Sequence, residues 1–219
     1  FMDDPNPQIR ASVANDIAFL ATVGIKTVVV HGGGKAINRA MAAAGLKPEF
    51  RNGMRVTDEK TVSIVEDVLN NSVNGEIVDL LRAGGCEPIS IKGNEVLKCK
   101  KLVPKSPEGE DVDIGYVGVI DSVDAAPIGK VLDEGMTPVI SPIAIGEDSH
   151  AYNTNADVAA AAVAKALKAR RLVFLCDVPG LMRDPKDRST LISHLKVSEV
   201  PALEASGAVS YTHLRAHET

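Results

Sequence analysis

The chain has 219 residues, 45% of them hydrophobic and 24% charged, and a formal net charge of −5. This suits one large α/β domain or two small ones, and it gives no electrostatic reason to expect nucleic acid or an anionic membrane as partner. No apolar run approaches the ~20 residues that a membrane span needs.

Trp is absent and aromatic residues make up only 3%. The core must therefore be aliphatic, as in a parallel sheet of Val and Ile under helices rich in Ala and Leu. Cys86, Cys99 and Cys176 are too few for a disulfide framework, and no two stand at a C-x-x-C spacing. A reducing cytoplasm is the compartment this composition suits.

Apolar residues at Ile9, Val13, Ile17 and Leu20 predict a helix over 5–23, stopped by Gly24. "IKTVVV" (25–30) predicts a buried strand. The glycines Gly32, Gly33 and Gly34 then open a helix with Ile37, Ala40, Met41 and Ala44 on one face, ending at Gly45. "PEFRNGMRVT" (48–57) predicts a hairpin around Asn52-Gly53. Thr57 is the expected cap of the next helix, which carries Asp58 and Glu59 in its first turn and runs towards Leu81 with a break near Asn74-Gly75. "PISIKGN" reads as strand and turn. Strands are expected at 96–103 and 115–123, a helix at Ala125–Asp133 and one strand over 136–146. Asp157 to Ala169 predicts a helix, Leu172 to Cys176 a buried strand, "DVPG" a turn, and short helices follow Ser189 and Ser198. Alternation of strand and helix predicts an α/β fold with a mainly parallel sheet, whose ligands bind at the C-terminal strand ends.

The glycine run meets neither common nucleotide fingerprint. Lys35 is followed by Ala36, not Ser or Thr, and Ile37 stands where G-x-G-x-x-G needs its third glycine. A glycine loop at a helix start offers free N–H groups to an anion, or it is a tight turn with close packing; the triplet alone leaves both open. His31 reads as a packed, hydrogen-bonded histidine. Arg55 suits bidentate capture of a carboxylate, or it is a solvated surface residue. "NTNAD" sets Asn153, Asn155 and Asp157 in alternation, so an extended segment would aim all three one way. One helix cap needs only one of them. "CDVPG" is a nucleotide-facing turn or an ordinary loop.

In order and spacing, "VVVHGGGK", "NGMRVTD", "NTNAD" with its Ala-rich helix, and "LCDVPGL" together resemble the acetylglutamate kinases of the amino acid kinase family, over about residues 1–209. The resemblance implies a three-layer αβα sandwich and phosphorylation by ATP, with Mg²⁺, of the γ-carboxylate of N-acetyl-L-glutamate in arginine biosynthesis. It implies that Gly33 and Gly34 bind acetylglutamate and the transferring phosphoryl group, that Gly32 permits the turn, and that Arg55 holds the α-carboxylate. It further implies that Asn153 hydrogen-bonds acetylglutamate, that Asp157 orients the catalytic lysines, and that Asp177, Val178, Pro179, Gly180, Leu181 and Met182 line the nucleotide pocket. Family members form homodimers or hexamers, and some bind the PII signalling protein or are inhibited by arginine. Residues 1–150 are expected to serve the amino acid and 151–209 to begin the ATP-binding part.

Two departures bear on activity. The family's catalytic lysines lie in a Lys-x-Gly-Gly run on the first strand and in a Gly-Gly-Met-x-Pro-Lys run. The first would precede "FMDDP"; the second is expected after "EASGAVS", where "YTHLRAHET" stands, and neither Lys35 nor Lys165 matches. Residues 210–219 read as a non-native tail on a gene fragment lacking its start, against a divergent native C-terminus. The expectation is a poor kinase or none. The competing readings are a sibling kinase acting on N-acetylaminoadipate or a carrier-bound amino acid, and a catalytically dead glutamate-binding regulatory subunit.

Overall fold

The computed structural model describes residues 6–51, 53–106, 108–175, 180–184 and 187–205, in two compact units that divide between Leu172 and Val173. In the first unit, α1 (Pro7–Thr22) starts behind Asn6, whose side chain accepts the Gln8 N–H, and stops before Gly24 at φ +83°. β1 (Val29–Val30) leads through the glycines into α2 (Gly34–Ala43). A hairpin of β2 (Phe50–Arg51) and β3 (Met54–Arg55) turns at Gly53, φ +75°. α3 (Glu59–Asp67) continues through a π-helical turn (Val68–Val73) into α4 (Asn74–Ala83). β4 (Pro88–Ile91), the single turn α5 (Gly93–Val96), β5 (Leu97–Lys101), β6 (Val117–Val123) and α6 (Ala125–Asp133) follow. β7 (Thr137–Ile140), β8 (Ile143–Gly146), β9 (Ala151–Thr154) and α7 (Ala156–Ala166) complete the unit.

The central sheet is parallel, in the order β1-β7-β4, with Val29 opposite Val139 and Ile91 opposite Ile140. Its side chains alternate between two helical layers, as a strand's period of two requires. Val29 and Val139 pack with Ala14, Ala18, Ile77 and Leu81 of α1 and α4. Val28, Val30 and Ile140 pack with Ile128 of α6 and Ala159 and Val163 of α7. This is a three-layer αβα arrangement. Pro138 is tolerated in the central strand because β1 begins only at Val29, opposite Val139. Beside the sheet, β5, β6, β9 and β8 close into a small mixed barrel. A third cluster joins Ile37 and Met41 of α2 to Val65, Val68, Leu69 and Ile143.

Several expected elements differ. The 25–30 strand shrinks to two half-buried residues at the sheet edge, and Ile25 is exposed. Asp58, not Thr57, caps α3, its carboxylate accepting the Thr61 N–H at 2.7 Å. The break expected at Asn74-Gly75 is instead the π turn just before it. The 136–146 strand splits at Ser141-Pro142, so that β7 joins the sheet and β8 the barrel. α7 ends at Ala166 because Lys168 turns left-handed (φ +51°) and the Ala169 N–H returns to the Ala164 carbonyl. Leu172–Leu175 form no strand among the described residues. Leu172, Val173 and Leu175 are exposed, Val173 at 72% and Leu175 at 58%, and Cys176 lies outside the described residues.

The second unit carries two 3₁₀ turns, Arg188–Thr190 and Val197–Glu199, and α8 (Val200–Ala205). Leu203 is buried there among Leu181, Ile192, Leu195 and Val200. The tail 210–219 lies outside the described residues.

Candidate active site

The glycine loop leaves β1 at its C-terminal end, where an α/β sheet presents its ligands. None of the three glycines takes a left-handed φ; Gly33 is extended at φ 177°. Their demand is for space, and it differs from one to the next. A Cβ on Gly33 would lie 2.6 Å from Leu69 Cδ2 and 3.2 Å from Val73 Cγ2, so this glycine lets the loop sit on the π turn. A Cβ on Gly32 would meet Ala156 of α7 at 3.7 Å, and one on Gly34 would meet nothing within 4 Å. Gly33 caps α2 without a side chain. No acceptor among the described residues takes the Gly33 or Gly34 N–H. These donors stand at the positive end of a helix.

Arg55 reaches α2 from the hairpin. Its guanidinium donates to Asn38 Oδ1 at 2.6 Å and to Met41 Sδ at 3.2 Å, and it lies 4.8 Å from the Phe50 ring centroid. Arg55 is only 7% exposed, so the solvated-surface reading does not hold. Burial pushes its pKa down from the ordinary value, yet guanidinium keeps its proton. No carboxylate of the described residues pairs with it.

Thr57 links this cation to "NTNAD". Its Oγ1 donates to the Arg55 carbonyl at 2.9 Å and lies 3.5 Å from Asn153 Nδ2. The expected single alignment of three side chains does not form, because β9 ends at Thr154. Asn153 lies on the strand, Asn155 caps α7 by accepting the Asp157 and Val158 N–H groups, and Asp157 lies in the helix's first turn. Asp157 follows Ala156, the neighbour of Gly32. The first unit thus gathers Gly32, Gly33, Gly34, Arg55, Asn153 and Asp157.

Sequence reading missed four participants. Asn38 sits one helical turn beyond Gly34, on the same face. Thr57 is fully buried, a contradiction with capping that burial alone reveals. Asn74 donates through Nδ2 to His31 Nε2 (3.1 Å) and to the Val139 carbonyl (3.0 Å). Ser141, at the end of β7, donates to Asn70 Oδ1 and accepts the Gly93 N–H at 2.8 Å. Polar residues interrupting the apolar run of the 59–83 helix were the available signal for Asn70 and Asn74.

Of the expected nucleotide-lining run, Asp177, Val178 and Pro179 lie outside the described residues. In the second unit Gly180 has φ +142°, the Leu181 carbonyl accepts the Ile192 N–H at 2.8 Å, and Met182 is buried and bridged to Leu191. No group of three or more metal-ligating side chains occurs among the described residues. No helix there is long and apolar enough to cross a membrane.

The pattern described as "Amino acid kinase family" matches residues 2–218. The chain belongs to the amino acid kinase family. Among curated relatives it is similar to the acetylglutamate kinase of Syntrophomonas wolfei, 43% identical over 203 residues that cover 93% of this chain and 69% of that one. It is also similar to the acetylglutamate kinase of Heliobacterium modesticaldum, 43% identical over 211 residues covering 94% and 72%. Among solved structures, the N-acetylglutamate synthase of Neisseria gonorrhoeae, complexed with coenzyme A and L-arginine, superposes with a TM-score of 0.71 at 27% identity, over 94% of this chain and 47% of that one. The smu.665 protein of Streptococcus mutans, at a TM-score of 0.77 and 23% identity over 93% and 80% of the chains, shares the fold. The α/β class, the parallel sheet and the family expected from the motifs are all found.

Proposed function

We propose that this chain binds N-acetyl-L-glutamate as the acceptor of an ATP-dependent kinase that phosphorylates its γ-carboxylate, yielding N-acetyl-L-glutamyl 5-phosphate. The observation that carries this reading is Arg55, a buried cation with no carboxylate partner among the described residues, bonded to Asn38 and Met41 of the helix whose start presents two unused glycine N–H groups. A buried guanidinium without an anion is costly, so the site favours one. The names of the curated relatives supply the candidate.

In this reading Arg55 takes the α-carboxylate, and Asn153 donates to or accepts from the acetamido group. Gly33 and Gly34 direct their N–H groups at the oxygens of the γ-carboxylate and the incoming phosphoryl group. Transfer between two anions needs little covalent help; it needs in-line positioning and positive charge on the equatorial oxygens. Asp157, at the start of α7, orients cationic groups. When nucleotide is bound, its phosphates would hold Mg²⁺, which would neutralise charge on the transferring group. Gly180, Leu181 and Met182, with Asp177, Val178 and Pro179, serve the nucleotide. The buried free thiols Cys86 and Cys99 suit a reducing cytoplasm.

The reading has two parts, binding of N-acetyl-L-glutamate and transfer of a phosphoryl group to it. Calorimetry with N-acetyl-L-glutamate, beside an ADP-release assay with ATP and Mg²⁺, tests both parts. Gly34→Ala has nothing to strike inside the protein, so it should keep its melting temperature and lose affinity at least tenfold. Unchanged affinity in Gly34→Ala would overturn the site. Tighter binding of N-acetylaminoadipate would move the substrate to a sibling, and saturable binding with no turnover favours a regulatory subunit.

A further inference from the structure

We propose that His31 and Asn74 form a lock that orients the glycine loop, His31 acting as a positioning residue in its neutral, Nδ1-protonated form. The inference rests on the acetylglutamate-binding reading only for its binding measurement. His31 is 7% exposed and Asn74 fully buried. His31 Nδ1 lies 3.0 Å from the Gly32 carbonyl oxygen, which can only accept, so Nδ1 carries the proton. Nε2 is then an acceptor, and Asn74 Nδ2 stands 3.1 Å away to donate to it. The amide cannot turn over without losing its second bond, to the Val139 carbonyl at 3.0 Å. That anchoring leaves Asn74 Oδ1 buried and without a partner. The amide's orientation thus selects the imidazole tautomer, and it sets a donor against any proton arriving at Nε2.

The consequence for the loop follows from the trans peptide. No cis bond is present among the described residues, so the Gly32 carbonyl and the Gly33 N–H point in opposite directions across one plane. Holding the carbonyl inward on the His31 ring turns the Gly33 N–H away from the protein interior. On its other side Gly33 lies against Leu69 and Val73, so closely that an added Cβ would strike them. The residue that could release the loop is therefore the histidine, and the residue that keeps it in register is an asparagine 43 positions away.

The test compares His31→Ala, His31→Asn and Asn74→Asp with the parent chain. Asn at 31 can place an N–H near the position of Nδ1; Ala cannot. Long-range ¹⁵N spectra of the imidazole should show a neutral Nδ1–H tautomer in the parent chain at pH 7 and imidazolium in Asn74→Asp. N-acetyl-L-glutamate should bind at least tenfold more weakly to His31→Ala but within about threefold of the parent in His31→Asn, although both lose stability. An Nε2–H tautomer in the parent, or equal affinity in His31→Ala, overturns the proposal. If the parent chain binds no N-acetyl-L-glutamate, that failure falls on the functional reading. The Gly33 and Gly34 amide resonances then decide: shifted in His31→Ala and restored in His31→Asn supports the lock, and unmoved in His31→Ala sinks it.

Discussion

A methyl group at Gly33 would press on Leu69 and Val73, both packed against α2, whereas one at Gly34 would meet open space. Gly33→Ala should therefore lose about 1–3 kcal/mol by overpacking, and urea unfolding should show Gly34→Ala unchanged beside it. His31 gives a pH signature of defined sign. Burial holds its pKa below the ordinary 6.5, against a smaller upward pull from the Gly32 carbonyl. Well above pH 6.5 the imidazole is neutral in both folded and unfolded chains and adds no slope. As the pH falls below 6.5 the unfolded chain takes up a proton that the folded chain refuses, so stability drops until the folded pKa is passed. The stability–pH curve of His31→Gln should lack this slope, so subtracting it from the parent curve should isolate the His31 contribution. Asp58, pulled down by its bonds to Thr61, acts in a separate window below its ordinary 3.8, so the two are resolved.

At the scale of elements, the long helical run 59–83 carries two polar contacts to neighbouring strand ends. Asn70 meets Ser141 after β7, and Asn74 meets His31 after β1. The π turn lies between α3 and α4 at this junction, as such turns often do near functional sites. Ser141 also receives the Gly93 N–H, and Asn70 continues through Asn94 to Glu66. Ser141→Ala should leave the buried Gly93 donor unsatisfied and cost roughly 1–3 kcal/mol, read from the urea midpoint. Gly93→Ala is expected to be far more damaging. Its Cβ would fall 2.0 Å from the Ser141 carbonyl and 2.3 Å from that of Ile143, both backbone atoms with no freedom to move. Soluble, folded Gly93→Ala protein with native circular dichroism would contradict that packing.

For the whole molecule, every proposed acetylglutamate contact lies within the first unit, Met2–Leu172. Saturating ligand should therefore raise the melting transition of that unit in the intact chain. At a hundredfold excess over Kd the stabilisation is about 2.7 kcal/mol, or several degrees for a domain of this size. A second transition should respond less. Hydrogen exchange under the same titration should slow around the β1 end, β3 and β9, and equal slowing throughout the second unit would argue against this division.

Periodicity and turn chemistry were enough to read most of the helices, the Asn52-Gly53 hairpin and the α/β class, because those signals are local: a 3.6-residue stripe, a left-handed glycine, a cap. The combination "HGGG", "NGMRVTD" and "NTNAD" likewise carried the family and six candidate site residues, since each motif is short and contiguous. What a residue does across the fold was not legible. Thr57 read as a cap and is a buried tie; 136–146 read as one strand and serves two sheets; 172–176 read as a buried strand, yet Leu172, Val173 and Leu175 are exposed. The pairings Arg55–Asn38, His31–Asn74 and Asn70–Ser141 span 17, 43 and 71 positions, and nothing local encodes them. Local composition determined which elements could form and which chemistry they carry. Tertiary packing alone decided which polar groups lost their water, and so which had to find one another.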